Sequence, residues 1–179
     1  MELDKILQER RSIRRFREGA QVERAQVEEM LEAAILAPSW KNSQTARYYV
    51  VMSEEMLDKV RNSCLPEFNQ KNCKGAPVLI VTAFVKNHSG HDSQGSPVNE
   101  VGNGWGCYDL GLHDSNLILK ARDLGLDTLI MGIRDADGLR KLLGIEENRE
   151  VVSVIAVGRR DIGPVGPGRK SMEDIARFY

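Results

Sequence analysis

Residues 77–85 read PVLIVTAFV, a stretch of nine positions without a single charge. The run has strand length and lacks the alternation of a half-exposed strand, so it is expected to be buried on both faces. Extended to Ala76 it is the longest apolar run of the chain, and it falls far short of the roughly 20 residues a membrane span needs. The chain is therefore expected to build around an internal strand in a water-soluble fold.

The other segments sort around that strand. Leu3, Ile6 and Leu7 recur at helical spacing and predict a short opening helix. A clearer helix is predicted over 23–37, with Val27, Met30, Leu31, Ala34 and Ile35 on one face, ending at Pro38-Ser39. RYYVVM (47–52) has the β-branched and aromatic content of a strand, and EEMLDKVRNS follows as a helix. Residues 86–104 are polar and Gly-rich, and so long a loop is expected to be a lid or a mobile segment. A long helix is predicted over about 106–124, a strand over 127–133 and a short helix at ADGLRKLLG. VVSVIAVG (151–158) predicts another strand, and the closing SMEDIARFY reads as a helical turn or an extended arm. About four strands and five or six helices that do not strictly alternate point to an α+β fold. At 179 residues the chain fits one domain, 1–179.

Residues 10–18, RRSIRRFRE, place Arg10, Arg11, Arg14, Arg15 and Arg17 around Ser12, Ile13 and Phe16. Guanidinium groups so dense repel one another unless an anion is near. A helix continued through them would turn Arg10, Arg14 and Arg17 onto the apolar face of Leu3, Ile6 and Leu7. Either the helix stops near Arg10, or these side chains converge on a buried anion, for which the planar fork of Arg suits phosphate oxygens. The plain alternative is a solvated basic face paired with Glu9 and Glu18, and composition leaves both open. Net charge is −1 with pI near 6.3, so the cluster is local, which weighs against a nucleic-acid or membrane surface as its partner.

GPVGPGRKS (163–171) comes close to a phosphate-binding loop, but Arg169 separates Gly168 from Lys170 and two prolines remove N–H donors. Arg169 and Lys170 are better read as a basic pair returning to the same anion as the N-terminal arginines. GNGWG (102–106) follows a loop and is no dinucleotide fingerprint. His88, His91 and Asp92 lie on an irregular loop without a fixed further ligand, and no metal site is expected there. His113 is read as a polar-face residue of its helix. Cys64, Cys73 and Cys107 form no CxxC pair, which with an apolar-poor MELDKILQE predicts a reducing, cytoplasmic setting.

Taken in order, several of these segments resemble the FMN-dependent nitroreductase family. RRSIRRF is similar to the family's opening R-[RH]-S-x-[RK]-x-[FY]. LEAAILAPSWKNSQ resembles its helix ending in A-P-S followed by N-x-Q. APVLIV, DLGLHDSNLILKARDLGLDT, IMGI, LRKLLGI and VIAVG resemble later blocks, and RKSMEDI the closing R-K-P-L-E-E-I. The resemblance implies an α+β nitroreductase-like fold, with a central, mostly antiparallel sheet flanked by helices. It also implies an intertwined homodimer with FMN sites at the subunit interface. By position, Arg10, Ser12 and Arg169 resemble phosphate ligands, with Arg11 and Lys170 close by. Arg14 matches a cation reaching the flavin pyrimidine edge or ribitol, and Asn69 an amide contacting the ring. Met131 and Gly132 match the backbone facing flavin N5, while Pro38, Ser39 and Asn42 would come from the partner subunit. The chain departs from the common pattern at Trp40, Gln44-Thr45-Ala46, Pro167 and Ser171.

The implied activity passes hydride from NADH or NADPH through flavin N5 to a nitroaromatic, quinone or similar small-molecule acceptor, with ping-pong kinetics. No side chain need act as acid or base in the first half-reaction. Two other classes compete: a flavin-binding storage or sensing protein without turnover, and a colourless anion- or nucleic-acid-binding module.

Overall fold

The computed structural model describes residues 2–179. Its core is one four-stranded antiparallel sheet built from β1 (Ala46–Val51), β2 (Val78–Val85), β3 (Asp127–Met131) and β4 (Arg149–Gly158), in the order β1-β2-β4-β3. The unbroken apolar run is β2, hydrogen-bonded to β1 on one side and β4 on the other. Seven of its eight residues are buried, which the lack of alternation predicted.

Both faces of β2 are covered by different helices. Leu79 and Val81 point toward Leu57 and Val60 of α3 (Glu54–Cys64) and Leu139 of α6 (Ala136–Leu143). Val78 and Ile80 point toward Met30 of α2 (Arg24–Ile35) and Leu117 and Ala121 of α5 (Gly104–Asp123). Each fully buried aliphatic side chain contributes about 1.5–3 kcal/mol, so this double cover is the main source of cohesion. The remaining helices are α1 (Leu3–Glu9), α4 (Glu67–Asn72) and the single turn α7 (Met172–Ile175).

Local chemistry sets the boundaries. Glu23 and Gln26 form a reciprocal capping box that opens α2. Asp135 accepts a bond from the Gly138 amide to open α6, and Gly144 ends it at φ 65°. α1 stops at Glu9 and not later, with the Arg10 amide capping the Ile6 carbonyl. Of its three predicted apolar positions only Ile6 is buried, while Leu3 and Leu7 face outward. The predicted strand over 127–133 ends at Met131, because Gly132 and Ile133 peel off to reach the start of α6. α4 was not expected, since EFNQKN offers one apolar residue and no period. SMEDIARFY is both of its alternatives in turn, one helical turn and then an extended end. Among the described residues no helix is long and apolar enough to cross a membrane.

Candidate functional site

After α1 the chain runs extended beside the start of β3. Ile13 donates its amide to the Thr128 carbonyl (3.0 Å), and Phe16 forms an antiparallel bridge with Arg160 just past β4. Ile13 and Phe16 are buried and anchor the segment, which leaves Ser12 just ahead of them and Arg14 and Arg15 between them exposed. The end of the helix thus settles the first geometric choice: the arginines do not form a helical face.

The segment leaving β4 runs back across this strip. Ile162, Pro164, Val165, Pro167 and Arg169 join Arg10, Arg11, Ser12, Ile13 and Arg14 around a cavity of about 410 Å3. The lining holds four arginines and no carboxylate. Burial, then the charges of Arg11 and Arg169, hold the Arg10 guanidinium below its ordinary value. Arg11 donates Nη1 to the carbonyls of Gln8 and Arg10 (2.8 Å to the latter), while its Nε is buried without a partner. The Arg11 guanidinium lies close against Gly166, so a side chain there would displace it. Glu9 and Glu18 do not neutralise the cluster, because Glu9 faces Lys5 and Arg122, and Glu18 faces Lys74. An orphaned buried N–H, in a wall whose only charges are cationic, suits a phosphate dianion. Lys170 is exposed and outside this lining, and Arg15 is paired with Asp161 (2.9 Å).

Met131 is buried at the end of β3, and Gly132 and Ile133 are exposed beyond it. Their backbone is tied from behind. The Asn69 side-chain amide donates to the Ile133 carbonyl (2.8 Å), and Arg134 donates to the carbonyls of Gly132 (3.2 Å) and Val151. The buried Asn69, on the unforeseen α4, therefore spends its N–H on this turn.

Pro38, Ser39 and Asn42 lie elsewhere, in the loop between α2 and β1, and none of them lines the arginine cavity. Lys41, Asn42 and Gln44 all adopt left-handed φ of 46–56°, a costly arrangement for non-glycine residues. Side chains hold it in place. Ser39 Oγ accepts from the Gln44 amide, the Trp40 amide donates to Asp109 Oδ2 (3.0 Å), and Ser89 donates to the same oxygen (2.6 Å). Trp40 packs on Trp105 (4.8 Å between rings) at the start of α5. The 86–104 segment wraps that tryptophan, with Asn99 accepting from its indole N–H and Asn87 and Asn103 bonded to each other. His91 bonds the Ser89 carbonyl and Asp92 caps two local amides. Among the described residues no group of three or more His, Cys, Asp or Glu could hold a metal.

Three buried polar groups on α5 escaped the sequence reading. Asp109, His113 and Asp114 all turn inward, so the expected polar-face setting of His113 is corrected. The spacing carried the signal: His113 and Asp114 stand three and four residues from both Leu110 and Leu117, inside the apolar stripe. Neither His113 ring nitrogen has a protein partner, and burial lowers its pKa against the opposing pull of Asp109, which keeps the ring neutral.

Sheet order, helix layers and an arginine-lined N-terminal strip together define an α+β class in which solved structures are similar over nearly the full chain. A Nitroreductase Family Protein from Streptococcus pneumoniae TIGR4 superposes with a TM-score of 0.87 at 20% identity, covering 99% of this chain and 100% of the other. A structure described as "the oxidoreductase containing FMN" gives 0.81 at 26% identity, covering 99% and 91%. The sequence profile of the Nitroreductase family matches residues 7–72 and 65–159, and the chain belongs to that family. A protein of Archaeoglobus fulgidus named "Putative NADH dehydrogenase/NAD(P)H nitroreductase" is 30% identical over 158 residues, 86% of this chain and 83% of its own length.

Proposed function

We propose that this chain is an FMN-dependent oxidoreductase that takes reducing equivalents from NADH or NADPH and delivers them to a nitroaromatic, quinone or similar small-molecule acceptor. The observation that carries the reading is the cavity walled by Arg10, Arg11, Arg14 and Arg169 without a carboxylate. A flavin phosphate brings close to two negative charges and offsets that repulsion. Arg10, Ser12 and Arg169 bind the phosphate, Arg11 and Lys170 add field, and Arg14 reaches the ribitol or the pyrimidine edge. When bound, FMN supplies hydride chemistry at N5, with donor and acceptor using one pocket in turn in a ping-pong sequence.

This chain's own contribution is orientation and electrostatics. Met131 and Gly132 present backbone at N5, on a turn that Asn69 and Arg134 hold from behind. A cation such as Arg14 near the pyrimidine edge favours the negative charge of the reduced ring. Pro38, Ser39 and Asn42 reach the flavin of a second subunit, which makes the working unit a homodimer. Residues 1–179 act as one cofactor-binding domain, with 86–104 as its cover. Cys64, Cys73 and Cys107 are all unpaired, in keeping with a reducing cytoplasm.

One experiment tests the reading. The purified protein is expected to absorb near about 370 and 450 nm, as bound flavin does, and to bleach anaerobically with NADH or NADPH. A quinone or nitroaromatic then restores the colour. Yellow protein that neither nucleotide reduces establishes the storage or sensing alternative, and colourless protein with steeply salt-dependent polyanion binding establishes the other.

A further inference from the structure

Asp127 opens β3 with its carboxylate almost completely buried, and two arginines and a backbone amide converge on it. Its oxygens accept from the Arg160 amide (3.0 Å), from Arg160 Nε (2.9 Å) and Nη2, and from Arg122 Nη1 (2.9 Å). Arg160 Nη2 also reaches the Glu9 carbonyl (3.4 Å), one residue ahead of Arg10. The next residue, Thr128, accepts the Ile13 amide that anchors the N-terminal wall. Through Arg160 the carboxylate touches both walls of the arginine cavity: the 162–169 wall where the chain leaves β4, and the start of the 10–14 wall at the Glu9 carbonyl, while the Thr128 backbone next door holds Ile13. Behind Arg11 lies a crevice lined by Arg122 and Arg160, two further cations that Asp127 occupies.

We infer that Asp127 is a positioning residue for the anion clamp. It fixes where the chain leaves β4, so that Arg169 closes on Arg10 and Arg11, and it holds Arg122 and Arg160 in the crevice behind Arg11. This rests on the phosphate reading of the cavity. Removing the carboxylate releases Arg160 and unpins residues 161–169, so the phosphate loses ordered contacts while the ring-binding surfaces at Met131, Gly132 and Asn42 keep theirs.

The test compares FMN with riboflavin, which lacks only the phosphate, by fluorescence titration of the full chain stripped of flavin. Wild type is expected to prefer FMN strongly. In Asp127→Asn that preference falls by about tenfold or more, the equivalent of at least one charge-assisted contact, with riboflavin affinity unchanged. Arg160→Met, which leaves Asp127 paired with Arg122, carries the same expectation should the asparagine variant not fold. An unchanged preference in the folded variants overturns the inference, as does a parallel loss of both affinities, which would mark a merely structural residue. A wild-type chain with no preference for FMN instead defeats the phosphate reading itself.

Discussion

Asp114 faces the sheet from α5 and receives the Tyr48 hydroxyl (3.1 Å), with Thr82 as a second donor. Thr82 in turn shares a bond with Ser153 (2.9 Å), its register partner on β4. Burial pushes the Asp114 carboxyl up to about 7, and the bonds from Tyr48 and Thr82 offset only part of that rise. Burial also raises the Tyr48 phenol, which stays a donor. In the unfolded chain an aspartate ionises near about 4. Between about pH 4 and 7 the native state thus binds a proton that the unfolded state has lost, and stability falls as pH rises across that window. Asp114→Asn keeps a donor and an acceptor but cannot ionise. Urea titrations at about pH 4 and pH 8 are expected to show wild type losing on the order of 2–4 kcal/mol relative to the variant. A pH-independent difference would remove Asp114 from the account. At this scale the sequence was uneven evidence. The arginine cluster was legible as a local excess of charge that calls for a partner, whereas Asp114 and His113 were missed although their spacing from Leu110 and Leu117 placed them in the apolar stripe.

Helix α5 crosses the sheet at close quarters, and glycine makes that possible. A side chain at Gly106 would meet the ring of Phe84 on β2 at 2.3–2.4 Å. Helix propensity alone favours alanine over glycine by about 1 kcal/mol. Overpacking against a buried ring costs about 1–3 kcal/mol and is expected to win. Gly106→Ala should therefore lower the urea midpoint with an unchanged slope, and a rise in midpoint would show that α5 can lift off β2 freely. The elements themselves were largely readable, because period and apolar content are local properties. PVLIVTAFV announced β2, and the stripe over 23–37 announced α2. What local sequence does not carry is pairing: nothing in 151–158 says that β4 lies between β2 and β3. Nor does EFNQKN reveal α4, whose Asn69 matters through a bond to a turn 64 residues away.

Among the described residues, two of the regions that leave apolar surface uncovered bear on assembly. One is the tail after β4, where Met172, Ile175 and Phe178 are exposed, Phe178 by 89%, and only local bonds cap its single turn. The other is the outer side of α2 and the edge strand β1, with Ile35 and Leu36 exposed and a groove lined by Val27, Leu31, Val50 and Met52. An apolar arm and an unpaired strand edge are liabilities that native proteins cover. In the proposed homodimer each arm is expected to cover its partner, and burying three large side chains would contribute roughly 1.5–3 kcal/mol apiece on each side. The same arm begins with Arg169, so assembly and cofactor binding draw on one segment. Ending the chain after Lys170 keeps the whole arginine wall while removing the apolar arm. Light scattering is expected to find the full chain at twice its 20.1 kDa mass and the shortened chain at the monomer mass or in weak exchange. A shortened chain that stays fully dimeric at micromolar concentration would place the interface elsewhere, with the arm free of any part in it.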